Sequence, residues 1–203
     1  MKRLLIGLFF LVVSLVAMGQ DANTKIITVT PNGLEFKNGE AQMVVENNMP
    51  ATETISQIVK SLKTKHQSQY LKIDAGDDII IIDDFVPGYT KTDKAAGSAY
   101  LLDMSYKITV DVKDNRFRIN IPTIIISANQ KYDGHAVPVN KGIQFTMEMG
   151  IKGKRDMWNS IVKKLFIYDE KDKLIEKRTK ELLERDLSSI INIILSQESD
   201  QNW

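Results

Sequence analysis

Met104-Ser-Tyr-Lys-Ile-Thr-Val-Asp-Val-Lys-Asp-Asn-Arg-Phe-Arg-Ile-Asn-Ile121 decides the fold class. Met104, Tyr106, Ile108, Val110 and Val112 alternate with Ser105, Lys107, Thr109, Asp111 and Lys113, which is the period of a strand with one buried face. Beyond Asp114-Asn115, the residues Phe117, Ile119 and Ile121 continue the apolar set against Arg116, Arg118 and Asn120. A two-residue turn at Asp114-Asn115 joins both runs into an antiparallel hairpin. That turn sets Val112 opposite Phe117, Val110 opposite Ile119, Ile108 opposite Ile121, and Asp111 opposite Arg118 on the wet face. Such a hairpin belongs to an antiparallel sheet covered on one side.

Outward from this hairpin, Tyr70-Leu-Lys-Ile73 and Ile79-Ile-Ile-Ile82 read as two strands around the turn Asp74-Ala-Gly-Asp-Asp78, and Gln144–Met149 alternates as another. The segment Gly33–Val45 carries Asn38-Gly39, a dipeptide suited to positive φ, and predicts a hairpin. Pro50 opens a helix, because proline tolerates the first turn, where its missing N–H has no partner. Ile55, Ile58, Val59 and Leu62 form its apolar stripe, and the helix is expected to end near residues 66–69. The last third is helical, with one stripe at Trp158, Ile161, Val162, Leu165 and Phe166. A longer stripe runs through Leu183, Leu187, Ile190, Ile191, Ile194 and Leu195. Hairpin, helix, antiparallel meander and helix together predict an α+β fold, a sheet with its helices packed on one face.

The stretch Thr109-Val-Asp-Val-Lys-Asp-Asn-Arg-Phe-Arg-Ile-Asn-Ile121, with that order of elements around it, resembles the secreted Bacteroides-type domains of unknown function with a TATA-binding-protein-like fold. The resemblance covers residues 33–196. It implies a TBP-like fold and an envelope location, and it implies no activity and no functional residue. Nucleic acid is not an expected partner, because fold alone does not carry function. A minor-groove reader needs apolar wedges on its open sheet face, and the hairpin's outer residues Ser105, Lys107, Thr109, Asp111, Arg116, Arg118 and Asn120 supply no wedge or stacking platform.

The N-terminus reads as an address. Lys2 and Arg3 precede an apolar run from Leu4 to Val13, and Ala17 and Gly19 stand at the −3 and −1 positions of a cleavage site. This is the pattern of a secretory signal peptide over residues 1–19, and the run is too short to serve as a spanning helix. The expected organisation continues with a flexible tail at 20–32, in which Ile26-Ile-Thr-Val29 has strand character. One domain over 33–197 and a short tail at 198–203 follow. The chain contains no cysteine, so neither a disulfide nor an N-terminal lipid is available, and the expected product is soluble in the periplasm or outside the cell. Without Lys2 and Arg3, 25 Lys and Arg face 26 Asp and Glu. Near-neutrality gives no global field toward nucleic acid or an anionic membrane, and no membrane insertion is expected after cleavage.

No constellation dictates catalysis. His66 and His135 are not paired at metal-binding spacing, and no serine sits in a nucleophile elbow. His66 is expected as a solvated cation at a helix end. Asp74, Asp77, Asp78, Asp83 and Asp84 cluster near a glycine, and the first three are the calcium candidates. Their order departs from the EF-hand pattern, and a turn-and-rim role is expected. Neither a cofactor nor a metal is expected. Tyr89 and Tyr132, on connections read as the long loops 85–98 and 128–141, are candidates for ligand contact together with His135. Lys107, Arg116 and Arg118 are candidates on the open sheet face. In the C-terminal helix, Glu176 with Lys180 and Glu181 with Arg185 predict a solvated, self-paired face. The resulting reading is a non-catalytic binding or assembly module of the cell envelope, its partner an envelope protein or glycan. The alternatives are a hydrolase acting on an envelope polymer, using loop carboxylates with His135, and a subunit of an envelope complex docking through its open sheet face.

Overall fold

The computed structural model describes residues 25–91, 98–132, 143–146, 152–153 and 167–196. The alternating run becomes β6 (Ser98–Lys113), the longest strand and the spine of the molecule. One of its edges pairs with β5 (Ile79–Lys91), which pairs in turn with β4 (Lys72–Ala75). Its other edge is shared: β7 (Arg116–Asn120) takes the C-terminal end, and β8 (Thr123–Tyr132) takes the rest. Beyond them lie β3 (Gln42–Glu46) on β7 and β9 (Ile143–Thr146) on β8, completing a seven-stranded antiparallel sheet. Val112 faces Phe117, Val110 faces Ile119 and Asp111 faces Arg118, as the turn predicts. The expected Ile108–Ile121 pairing does not form. β7 ends at Asn120, and beyond Pro122, which has no donor for the ladder, the chain re-enters the sheet as β8 with Thr123 opposite Lys107.

Met104, Tyr106, Ile108, Val110, Val112, Phe117 and Ile119 are buried on the inner face. Against them pack α1 (Ala51–Lys65), through Ile58 and Leu62, and α2 (Lys177–Leu195), through Leu183, Leu187, Ile191 and Ile194. The fold is therefore α+β, a sheet covered on one face by two helices among the described residues. The first C-terminal stripe, Trp158 to Phe166, lies outside the described residues.

The β1 (Ile27–Thr30) and β2 (Gly33–Phe36) strands form their own hairpin. Asn38-Gly39 does make a tight turn, with Gly39 at φ 79°, but it does not join a hairpin. β2 pairs back with β1, and β3 crosses to β7. The apolar patch at 26–29 is core, with Ile27 and Val29 at most 1% exposed. The outer edge of β1 is sealed by α2. Ser188 Oγ accepts from the Ile26 and Ile27 N–H groups (both 2.9 Å), and Glu184 Oε1 accepts from the Val29 N–H (2.9 Å). Four helical residues rise about 6 Å and two strand residues about 6.6 Å, so one turn of α2 matches alternate donors of β1. Lys25 (2.6 Å) and Lys180 both pair with Glu184. The expected solvated pairs of α2 are thus replaced by Lys177 with Glu181 (3.4 Å), Arg185 with Asp186 (2.6 Å), and the buried Glu184.

Residues 85–98 are not simply a loop. β5 continues to Lys91 through a bulge between Val86 and Thr90. Gly88 takes φ 63° there, and its N–H donates to Asp103 Oδ1 (2.7 Å). Proline is tolerated at such a point because a bulge frees it from the ladder. Likewise, the first part of the expected 128–141 loop extends β8 to Tyr132.

Candidate functional site

The sheet face on which no described helix packs, called the uncovered face, gathers side chains in rows across the strands. Alternation from the buried set places Gln42, Val44 and Glu46 of β3, Arg116, Arg118 and Asn120 of β7, and Thr109, Asp111 and Lys113 of β6 on this face. Gln42, Val44, Asp111, Lys113, Arg116 and Arg118 line a cleft of about 260 Å³. Within it, Arg118 donates from Nε (3.0 Å) and Nη2 (2.8 Å) to Asp111 Oδ2, and Asn120 Nδ2 donates to the same oxygen (2.8 Å). Hydrogen bonding from Asn120, opposed by partial burial and reinforced by Arg118, holds the Asp111 carboxyl below its ordinary range. Asp111 thus offsets one of the cleft's three cations, and Lys113 and Arg116 stand exposed beside it, with Glu46 of β3 opposite Arg116.

Of the candidates on the hairpin, Arg116 and Arg118 meet in this cleft. Lys107 shares the face but lies farther along β6, where it pairs with Asp83 at 3.6 Å. Tyr89 is not on a loop tip. It sits in β5 and packs against the core, and burial with the Asp186 carboxylate beyond it pushes its phenol well above the ordinary value. Tyr132 ends β8 opposite Ser98, and His135 lies outside the described residues. Asp74 falls on the uncovered face opposite Ile81, Asp77 and Asp78 occupy the exposed β4–β5 turn, and Asp83 and Asp84 alternate to opposite faces. Among the described residues, no group of three or more His, Asp or Glu could hold a metal ion.

The hairpin alone understates the apolar content of this face. β5 adds Ile79, Ile81 and Phe85, β8 adds Ile125 (41% exposed), and the α1–β4 connection adds Tyr70. Tyr70 and Phe85 stack edge to face, with ring centroids 5.3 Å apart. The expected absence of an aromatic platform is therefore corrected. The signal was the four-isoleucine run 79–82, which gives a strand two apolar faces. The cationic and aromatic ends, at the levels of Asp111 and Ser105 on β6, lie about 20 Å apart.

Directly beneath Phe85, on the buried side, sits a polar centre. Asp84, 4% exposed, accepts from Ser68 Oγ (2.6 Å), Tyr106 Oη (3.0 Å) and the Phe85 N–H (2.8 Å), and its Oδ2 lies 2.8 Å from His66 Nε2. Burial opposes the charge, but these donors outweigh it and hold the Asp84 carboxyl below the ordinary range. Burial, with the Asp84 charge, pushes the Tyr106 phenol well above its own. His66 is therefore not held out in solvent at the helix end: its ring packs against this carboxylate. Ser68 donates to Asp84 rather than to His66, so the group fastens the α1–β4 connection to β5 and β6 instead of activating a nucleophile.

No protein-family model matches the chain, and no curated protein sequence matches it. The structure is similar to a TBP-like protein from Parabacteroides distasonis, with 18% identity, 77% of this chain and 92% of that one covered, and a TM-score of 0.45. It is also similar to a DUF4468 family protein from Bacteroides ovatus, with 12% identity, 79% and 88% of the two chains covered, and a TM-score of 0.41.

Proposed function

We propose that the protein is an exported, non-catalytic binding or assembly module that docks an envelope protein through its uncovered sheet face. The observation that carries this reading is the cleft of Lys113, Arg116 and Arg118, which shares one exposed face with Ile81, Phe85, Tyr70 and Ile125. Such a face suits a partner presenting carboxylates beside apolar groups, because buried apolar area supplies affinity and the charges supply register. Export rests on the basic, apolar and small-residue order of residues 1–19. No helix among the described residues is long and apolar enough to cross a membrane.

Reversing Lys107, Arg116 and Arg118 together to glutamate should abolish recovery of the partner taken from envelope extracts by the unaltered protein. Undiminished recovery would sink the docking reading. Turnover of an envelope polymer that His135→Ala abolishes would establish a hydrolase instead. Mass spectrometry of the exported protein should show Gln20 as the first residue, and an intact Met1–Gly19 segment would refute cleavage.

A further inference from the structure

We propose that two copies of this chain associate by pairing their β3 strands, antiparallel and centred on Val44. Among the described residues, β3 pairs with β7 alone. The bonds flanking that ladder show which groups are left over. The Ile121 N–H donates to the Ala41 carbonyl and the Asn47 N–H to the Asn115 carbonyl, both at 3.0 Å. Antiparallel ladders alternate bonded and non-bonded pairs, so residues 41, 43, 45 and 47 bond toward β7. The N–H and C=O groups of Gln42, Val44 and Glu46 then point away from the sheet. All three residues are exposed, Val44 at 55%. The strand carries no lysine, proline or bulge, the usual devices that blunt an open edge.

The occupant follows from self-complementarity. A two-fold axis through Val44 sets it opposite its own copy, Gln42 opposite Glu46 and Met43 opposite Val45. Apolar residues meet apolar ones, an amide meets a carboxylate at each end, and no like charges oppose. A residue on the axis must exchange both backbone bonds with its mate or neither. Val44 presents both. On the uncovered face the row then runs Arg118, Val44, Val44, Arg118, with the two arginines about 14 Å apart, so two cationic clefts flank one axis. Five residues a side make less than a standard interface, so the dimer is expected to depend on concentration. Val44 and Gln42 also border the docking cleft, but the two proposals fail separately: reversing Lys107, Arg116 and Arg118 leaves the backbone groups of the β3 edge in place.

Light scattering on the purified protein across the micromolar range should show a monomer–dimer equilibrium. Val44→Pro removes the outward N–H while sparing the β3–β7 ladder, and Val44→Lys opposes two ammonium groups on the axis. Both should be monomeric with unchanged circular dichroism, while Val44→Thr should still dimerise. If Val44→Pro fails to fold, Val44→Lys decides. The chain has no cysteine, so Val44→Cys should form a disulfide dimer under mild oxidation, and Ile125→Cys, out on the sheet face, should not. A monomer at every concentration, a dimer that survives Val44→Lys, or equal crosslinking through Ile125→Cys would overturn the proposal.

Discussion

Two side-chain hydroxyls, a backbone N–H and an imidazole converge on the Asp84 carboxylate from three parts of the chain's path: Ser68 and His66 from the α1–β4 connection, Phe85 from β5, Tyr106 from β6. Removing the carboxylate leaves buried donors without an acceptor. Asp84→Ala should therefore cost about 3 kcal/mol at neutral pH, roughly 9 °C in Tm for a domain of this size, measured by thermal unfolding. The folded pKa lies below the ordinary 3.8, so the charge contributes stability that is fully present above that value and is lost as pH falls through the folded one. Asp84→Asn should accordingly flatten the stability profile below about pH 4; a profile as steep as that of the unaltered protein would refute the assignment. Strand alternation already puts Asp84 on the side of Ile80 and Ile82, and Asp83 on the wet side. The carboxylate's chemistry suggested a rim, because the donors that make burial tolerable are remote in sequence.

Helix α1 shows the same dependence at the scale of an element. Pro50 opens it, as the sequence indicates, but offers no side-chain acceptor. The cap comes from the β6–β7 turn, where Asp114 Oδ1 accepts from the Ala51 N–H at 2.9 Å. Asn115 of the same turn, at φ 66°, exchanges backbone bonds with the segment before the helix: its N–H donates to the Met49 carbonyl and its carbonyl accepts from the Asn47 N–H. Asp114→Ala should cost about 1 kcal/mol, read by urea denaturation, whereas Glu53→Ala on the exposed first turn should cost less. Equal losses would remove the capping role. The helix stripe and the hairpin register were legible because both are local periodicities. The partners of β2 and β3, and the passage of β5 through Pro87-Gly88, were not, because a glycine turn reads alike whether it closes a hairpin, links two sheets or forms a bulge.

At the scale of the whole molecule, residues 25–30 join distant parts of the chain, with β1 buried and its outer edge held by Ser188 and Glu184 of α2. A chain that starts at Pro31 loses the burial of Ile27 and Val29 and strips Glu184 of the Val29 N–H and the Lys25 ion pair. It should show lost cooperativity in thermal unfolding, whereas a chain that starts at Lys25 should melt as the longer one does. Identical melting curves would contradict this role. The sequence by itself determined the class of fold, the length and face of the central strands, the apolar stripes of α1 and α2, and the cationic character of Arg116 and Arg118. Each of these follows from side-chain periodicity within a single element. Only the tertiary structure decided that Asp84 and Glu184 are buried, that Gln42 and Val44 join the arginines in one cleft, that aromatic residues share that face, and that among the described residues β3 has one unpaired edge. These depend on which strand lies beside which, and that choice is made by long-range pairing and the satisfaction of buried polar groups.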